Sequence, residues 1–487
     1  MKKRIDPDLE KNISYIEQEL GADTSFDVQT RKFTVGKKQA ALIFLDGFIK
    51  DELIFSLEFL METKRKEISV NSLKKIINKR LPYFEVSTVK YLDEVVTEAL
   101  SGPQVFLIAG CKEAIIIDGR SWESRSISEP ELEKATRGPA DGFVETLLFN
   151  VVAVRRRIKD KNFRAEVLEI GRRSKNDVAL LYLDDVINKN LLAEVRDKLE
   201  SVDVDGLPLA DRSIEDIITG GSLNPLPRIR YTERPDNLAA HILEGHLAIV
   251  VDNSPTALIL PAPFLSHVQT LESYRKGPLV GTYFSFLRFL AIFVSVLLPV
   301  IWLIFSTNRE LLPEMLRFIG PREKTNIGLG LQFILATLGI DLIRMASILT
   351  PDTLATSLSL IGALILGEFA VEVGLFTPEV ILYMAVAAIG SFAVPGYELS
   401  MVLKLIRLIL LVSVMIGNLY GFIITFLLIL LWIGFTKSFG VYYLWPLIPF
   451  DYQALKSLLV NQTVMDLSRG RPDALDTKDD DRSPQSE

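Results

Sequence analysis

The sequence contains a single cysteine, three histidines and a long region with few charged residues. Because Cys111 has no partner, a disulfide-stabilised scaffold is excluded. Residues 278–462 hold only 20 charged residues, although 24% of the whole chain is charged, and this shortage excludes a purely soluble enzyme. The net charge of −7 and the lack of a basic stripe argue against a protein that binds nucleic acid.

Catalytic and metal-binding patterns are also missing from the sequence. It has no Walker loop, no G-x-G-x-x-G fingerprint and no G-x-S-x-G elbow. His241 and His246 are five residues apart, whereas two zinc ligands on one helix are typically four apart. The sequence therefore predicts a protein that is not an enzyme and that uses neither a cofactor nor a metal ion.

Three uncharged runs in the back half have the length of membrane-spanning segments: 289–308, 380–397 and 408–436. A helix needs about 20 apolar residues to cross about 30 Å of hydrocarbon. The third run exceeds this length, so it is either one long tilted helix or two short segments. Two more apolar segments, 327–349 and 354–376, carry charges. We expect about five crossings, with four or six as the alternatives.

The orientation in the membrane is weakly indicated by the charges. Acidic residues follow the basic cluster at 2–4, so we expect no export signal and a front region that stays in the cytosol. Lys404 and Arg407 precede the last apolar run and would lie on the same cytosolic side. The basic residues of the 306–326 loop disagree with this pattern.

The front region contains two similar halves. Buried strands are predicted at 40–46 and 178–184, 138 residues apart. Helices that end at Gly102 and Gly245 each lead into two apolar runs typical of a hairpin, and these are 143 residues apart. Chance similarity is the alternative, but two matches in the same order favour duplication. We therefore predict a cytosolic α/β region of two duplicated subdomains, followed by an α-helical multi-pass membrane bundle.

The predicted layout has seven parts. A linker helix with a basic end at 155–157 separates the two subdomains, and the tail is acidic and predicted to be disordered. The parts are an N-terminal segment (1–29), the first subdomain (30–125), the linker helix (126–159), the second subdomain (160–277), the membrane bundle (278–440), a membrane-proximal segment (441–462) and the tail (463–487).

The few charges of the bundle are the candidate functional residues. Glu368 and Glu372 are four residues apart on one predicted helix face, and Asp341 and Arg344 lie three apart on the preceding segment. Mutual neutralisation of these charges is one interpretation. The alternative is an acidic, cation-selective pathway, which requires an oligomer. The small residues that would line such a pore, or allow close helix packing, are Gly362, Ala363 and Gly367.

The motifs Arg137-Gly138-Pro139, Asn224-Pro225-Leu226-Pro227 and Glu233-Arg234-Pro235 are distinctive. Together with others, they resemble motifs of the A subunits of GerA-type spore germinant receptors. They extend from about residue 30 to residue 455, and the segments 205–211, 239–246 and 375–383 resemble the stage V sporulation AF branch more than the nutrient receptors. The motif residues that we expect to be structural are Arg137, Gly138, Pro139, Glu145, Asn224, Pro225, Pro227, Glu233, Arg234, Pro235, Asp252 and Pro255.

This resemblance implies a spore germination protein with a two-part cytosolic domain before a membrane bundle. It implies a location in the inner membrane of the endospore and homo-oligomeric, ring-shaped ion channels. It also implies other germination proteins and a small membrane protein as partners, in addition to the lipid bilayer. A receptor or scaffold that binds a ligand but does not conduct ions is the alternative.

Overall fold

The computed structural model describes residues 2–35, 38–48, 85–119, 130, 133, 137–270, 276–311, 314, 320–322, 327–350, 360–362 and 365–459. The chain forms two compact units. Within the described residues, the front unit comprises those up to Leu223 together with Ile229–Pro261, and the membrane unit comprises Asn224–Arg228 and those from Ala262 onward. Ala363 and the tail 463–487 lie outside the described residues.

The front unit contains two five-stranded antiparallel sheets with the same strand order. The first sheet has the order β1-β2-β4-β5-β3, and the second has the order β6-β7-β9-β10-β8. The strands are β1 (Val28–Val35), β2 (Lys38–Leu45), β3 (Glu85–Val89), β4 (Gln104–Ile108), β5 (Ala114–Asp118), β6 (Phe163–Ile170), β7 (Asn176–Leu183), β8 (Arg230–Thr232), β9 (Leu247–Val251) and β10 (Ala257–Leu260). The predicted duplication is therefore confirmed.

The helices of the front unit follow the same repeat. Each sheet is preceded by one helix and receives a second helix between its third and fourth strands in the chain. In the second repeat, the described residues after β7 also form two helices before β8. In chain order the helices are α1 (Leu9–Leu20), α2 (Leu92–Leu100), α3 (Leu147–Arg155), α4 (Lys189–Ser201), α5 (Asp211–Thr219) and α6 (Pro235–Glu244).

The repeat starts at α1, which is earlier than the predicted boundary at residue 30. The Asn12 side chain pairs with both backbone groups of Asp6, and the Asn150 side chain pairs in the same way with Val144. These two asparagines are 138 residues apart, the same spacing as the predicted strands. Apolar residues of α1 and α3 pack into the cores of their own sheets, so each helix belongs to a subdomain.

The linker helix is shorter than the predicted 126–159. Among the described residues, helix α3 extends only from Leu147 to Arg155. Gly138 has a left-handed φ of +119°, and it is followed by Pro139, so the chain cannot continue as a helix there. Residues 139–146 are not helical, and the side chain of Asn150 holds them against the start of α3.

The membrane unit contains three helices that are long and apolar enough to span a bilayer, among the residues that were described. The helices of this unit are α7 (Phe264–Val268), α8 (Pro278–Thr307), α9 (Leu329–Leu349), α10 (Pro378–Phe392), α11 (Tyr397–Phe435) and α12 (Tyr452–Leu459). Helices α8, α9 and α11 are the long ones, and α10 is a shorter apolar helix. The number of crossings remains a prediction.

Helix α11 consists of two arms that meet at Asn418, whose φ of +48° and ψ of −136° are not helical. Gly421 lies against the carbonyl group of Ser413, so the chain turns back on itself. The two ends of α11 also lie close together. Gly396 is beside His267, and Thr436 is joined through Tyr443 to Phe264. The sequence predicts either one long tilted helix or two short segments for this run, and the structure has two segments. They are called the first arm (397–417) and the second arm (419–435).

The end of the membrane unit next to α7 is called the basal end, and the opposite end is called the distal end. Arg288 donates from Nη1 to Val268 O at the basal end. At the distal end the side-chain amides of Asn308 and Asn418 bond to each other in both directions. A short hairpin of β11 (Lys437–Ser438) and β12 (Val441–Tyr442) follows α11, and its Ser438 Oγ donates to Arg228 O at the basal end.

Candidate functional site

The two predicted intramembrane glutamates lie on the outside of the bundle. Residues 365–369 form a π-helical turn, and Glu368 belongs to it, whereas Glu372 follows in a short α-helical segment. Both side chains are exposed, and neither has a hydrogen bond or an ion pair with another described residue. π-Helical turns are rare in proteins, and those that occur are often found at functional sites.

The small residues near these glutamates have different surroundings. A Cβ atom on Gly362 would lie 2.8 Å from Cδ1 of Ile343 in α9, so this glycine allows close packing between helices. No atom lies within 4 Å of a Cβ atom placed on Gly367. Of the described small residues, Gly367 rather than Gly362 is therefore the one that faces open space.

Asp341 of α9 is paired with Lys404 of the first arm. The Nζ–Oδ1 distance is 2.8 Å, and both side chains are partly buried. The sequence places these residues 63 positions apart, so their pairing was not predicted. The interpretation that Arg344 neutralises Asp341 is not what the structure shows. The Arg344 guanidinium instead lies over the rings of Phe392 and Tyr397, at 5.3 and 4.8 Å from their centres.

Arg407 is a buried cation that donates a hydrogen bond to a carbonyl group without a partner inside its own helix. Pro299 lies inside α8 and has no N–H group, so the carbonyl of Ser295, four residues earlier, loses its partner within the helix. The Nη1 atom of Arg407 donates to this carbonyl at 2.9 Å. The Arg407 side chain is only 4% exposed, and its Nε has no hydrogen-bond partner among the described residues.

These contacts revise the sequence-based interpretation of Lys404 and Arg407. The sequence predicts both residues before the last crossing, but they lie inside the first arm, about two and three turns after Tyr397. They are one turn apart and join the first arm to α9 and α8 respectively. Sequence reasoning missed the role of Arg407, although Pro299, four residues after Ser295, indicates a carbonyl group that needs a donor.

The family-motif residues of the front unit form a separate buried cluster around Arg234. This arginine is 3% exposed, and its guanidinium donates to Asp236, to Pro139 O and to Glu133 O. The Glu133 carboxylate in turn accepts from Asn237 and from two residues of β8. Motif residues from the linker and from the segment before α6 therefore meet, which gives them a structural role.

A second set of motif residues fixes the start of α3. The Asp252 carboxylate accepts the backbone N–H of Leu147 at 3.1 Å, and Asn253 N–H donates to the Glu145 carbonyl. These bonds satisfy backbone groups at a helix N-terminus and in the segment before it. Pro255 lies in the turn between β9 and β10, three residues after Asp252.

The third set of motif residues lies in the membrane unit. Asn224 accepts the backbone N–H of Leu226 and donates to Thr436 Oγ1 at 3.3 Å. Leu226 belongs to the apolar core of the bundle. The segment with Pro225 and Pro227 is therefore attached to the chain just after the second arm, at the basal end.

The two histidines close in sequence face each other in the front unit, where His246 is buried and His241 is half-buried. Their rings are 4.8 Å apart in an edge-to-face arrangement, and His246 Nδ1 is 3.2 Å from His241 O. Burial lowers the pKa of His246 to about 4 and lowers the pKa of His241 well below its ordinary value. No group of three or more potential metal ligands occurs among the described residues.

The chain matches the model of the Bacillus/Clostridium GerA spore germination protein family over residues 14–474. It is 42% identical to stage V sporulation protein AF of Bacillus subtilis, over 97% of this chain and 96% of that protein. It is 31% identical to spore germination protein KA of the same species, over 93% of this chain and 84% of that protein.

The chain is also similar to a solved structure, the N-terminal domain of the A subunit of the Bacillus megaterium spore germinant receptor GerK3. The two are 27% identical, and the match covers 54% of this chain and 98% of that one with a TM-score of 0.44.

Proposed function

Because the chain belongs to the GerA spore germination protein family, we propose that it is a subunit of an oligomeric ion channel that triggers or amplifies ion release during germination. The observation that supports this proposal is the exposure of Glu368 and Glu372 in a unit with few charged residues. The motifs that resemble the stage V sporulation AF branch agree with the 42% identity to stage V sporulation protein AF of Bacillus subtilis.

The physical argument concerns the surroundings of these carboxylates. A charged side chain facing lipid at the centre of a bilayer costs about 2.5–3.5 kcal/mol on insertion scales. Two glutamates one turn apart are therefore expected to face water or protein. Rings of acidic side chains attract cations, so a water-filled pathway beside Glu368 and Glu372 would select for cations.

The pathway is expected to form between several copies of the chain. Glu368 and Glu372 lie on the outside of a single bundle, so only a ring of copies can enclose them. Other germination proteins, including a small membrane protein, would be further partners. We place the channel in the inner membrane of the endospore with the front unit on the cytosolic side.

The segments of the membrane unit alternate in direction along the chain, in the order α8, α9, the described residues of 360–372, α10 and the two arms of α11, which supports an even number of crossings. The described residues of 360–372 are antiparallel to α9, since Gly362 lies against Ile343 and Thr377 N–H donates to Gln332. Helix α10 is antiparallel to α8, since Tyr383 lies against Trp302 and Gly390 against Ala291. Helix α9 is antiparallel to the first arm, and the second arm returns to the basal end. We therefore propose six segments and a C-terminal tail on the same side as the front unit.

Ion flux through liposomes tests the proposal. Purified full-length protein should release potassium ions from loaded liposomes, and Glu368→Gln with Glu372→Gln should lower the preference for cations over anions. Glu310→Gln, which removes an exposed charge outside the long helices, is the matched control and should leave selectivity unchanged. No flux from protein that still binds germination proteins would favour the non-conducting receptor or scaffold.

The two glycines provide a second test of the pathway. Gly367→Leu places a side chain in open space and should reduce flux without loss of folded protein. Gly362→Leu collides with Ile343 and should lower the thermal stability of the bundle. Equal flux through the Gly367→Leu variant and the parent protein would contradict a pathway beside this helix.

A further inference from the structure

Helix α8 is longer than the thickness of the hydrocarbon layer of a membrane. Its 30 residues span about 45 Å, whereas the hydrocarbon layer is about 30 Å thick. The uncharged part of α8 begins after Arg288, so the first three turns extend beyond the hydrocarbon at the basal end.

These first turns of α8 are apolar and aromatic but are not covered by protein. Leu279 and Phe286 are 83% and 68% exposed, and Tyr283 and Phe284 contact each other edge to face. The ammonium group of Lys276 lies 4.2 Å from the centre of the Phe284 ring. Aromatic rings with a cation at one side are typical of the interface between hydrocarbon and headgroups.

A second exposed segment of similar composition lies at the same end of the bundle. Phe450 and Tyr452 are 69% and 66% exposed, and Lys437 Nζ lies 4.5 Å from the centre of the Tyr442 ring. The next residue, Tyr443, accepts a hydrogen bond from Phe264 N–H in α7. Since Arg288 also bonds to α7, both exposed segments surround the basal end.

The charge at the basal end is mainly positive. The two exposed segments, 276–288 and 437–456, are together called the basal collar. Among the described residues at this end, the basic side chains outnumber the acidic ones: Arg228, Lys276, Arg288, Lys437 and Lys456 against Glu398 and Asp451. A surface that combines exposed aromatic rings with excess positive charge complements an anionic lipid headgroup layer, which attracts each lysine or arginine near it.

We propose that the basal collar binds the anionic phospholipid headgroups of the leaflet at the basal end. Helix α12 and the residues before it then lie along the membrane surface, since the 8 residues of α12 are too few to cross it. A second copy of the chain fits this surface less well, because protein–protein interfaces are depleted of lysine and the burial of charged groups is costly.

Lipid selectivity of the full-length protein in vesicles tests the proposal. Electron paramagnetic resonance measures how strongly spin-labelled phosphatidylglycerol and spin-labelled phosphatidylcholine associate with the protein in vesicles containing both lipids. The test variant carries Lys276→Gln, Lys437→Gln and Lys456→Gln. The matched control carries Lys112→Gln, Lys175→Gln and Lys189→Gln, three exposed lysines of the front unit.

The parent protein should prefer phosphatidylglycerol, and the preference should weaken as salt is added, because salt screens exposed charges. Each lysine is expected to contribute at most about fivefold to the preference, and the collar variant should lose most of it. The control variant should retain it. An unchanged preference in the collar variant, or dissociation of its oligomer at unchanged lipid selectivity, would overturn the proposal.

Discussion

Buried charges have different roles in the two units of this protein. In the front unit, Arg155 and Asp27 form an ion pair in which both side chains are 1% exposed. This pair joins α3 to the residue before β1 and so connects the two repeats. In the membrane unit, Arg407 is as deeply buried but bonds to a backbone carbonyl, and Lys404 pairs with a partly exposed Asp341.

The difference follows from what surrounds the charges. The front unit can leave most charges in water, so a buried cation is retained there with a full carboxylate partner. The membrane unit has few acidic residues within reach, and a proline in α8 provides a carbonyl acceptor instead. The front pair therefore holds two domains together, whereas the membrane cations hold individual helices in register.

The largest expected effect comes from breaking the front pair. Asp27→Asn leaves the Arg155 guanidinium buried without its counter-ion, which should destabilise the front unit by about 3–5 kcal/mol. Hydrogen exchange of the full-length protein would measure this as lost protection in β1 and β6. Restoring part of the protection with the double variant Asp27→Asn and Arg155→Met would confirm that the unpaired charge is the cause.

The matched control for this change is Glu19→Gln. Glu19 pairs with Lys161 at 2.5 Å and also connects the two repeats, but the Lys161 side chain is half exposed. Exposed pairs contribute about 1 kcal/mol or less. If Asp27→Asn had no larger effect than Glu19→Gln, burial would not be what makes the front pair important.

The pH dependence of stability tests whether the interior of the front unit excludes an unpaired charge at His246. In the unfolded chain, His246 binds a proton below about pH 6.5, whereas in the folded protein its pKa is about 4. The unfolded state therefore gains protons first as pH falls, and stability decreases from pH 6.5 to 4. For a single histidine the loss amounts to about 3 kcal/mol.

His246→Asn should make this pH dependence shallower, because it removes one of the two titrating groups and leaves a polar group near His241 O. Unfolding of the front unit, followed by hydrogen exchange of β9 at pH 4.5 and pH 7.5, measures the change. Between pH 7 and 8 the variant and the parent protein should respond equally to pH. An equally steep loss below pH 6.5 in both would assign it to other groups.

The sequence predicts the front unit better than the membrane unit. The buried strands β2, β4, β5, β7, β9 and β10 are continuous apolar runs, and Gly102 and Gly245 mark helix ends, so their order was readable. Strands β1 and β6 were missed because polar residues interrupt their apolar pattern: four of the eight residues of β1 are polar and exposed, and three of the eight residues of β6 are charged. The start of the first repeat was missed because the Asn12 and Asn150 pairings only become visible in three dimensions.

In the membrane unit, the sequence identifies the charged residues but not their partners. Asp341 and Lys404 are 63 residues apart, and Arg407 and Ser295 are 112 apart, so no local pattern connects them. The interpretation of mutual neutralisation pairs Arg344 with Asp341 or with a glutamate, but Arg344 lies over aromatic rings. The one local signal was Pro299, because a proline inside a helix predicts a free carbonyl four residues earlier.

The smallest expected effect separates the two kinds of buried cation. Arg407→Gln removes the donor to Ser295 O, and Pro299→Ala returns a backbone N–H to the same carbonyl. A hydrogen bond from a charged donor contributes about 1.5–3 kcal/mol, so Arg407→Gln should cost about 2 kcal/mol more in the parent protein than in the Pro299→Ala background. Thermal unfolding of the full-length protein in lipid nanodiscs measures the four members of this cycle.

The control cycle combines Arg407→Gln with Phe293→Ala, an exposed position of α8 that leaves the Ser295 carbonyl unchanged. These two changes should add within about 0.5 kcal/mol, as distant changes do. Additivity in the Pro299 cycle as well would mean that Arg407 is held by its charge alone. The contrast between the units would then be weaker, because Arg155 and Arg407 would both depend on a carboxylate, and the carboxylate that interacts electrostatically with Arg407 is Asp341.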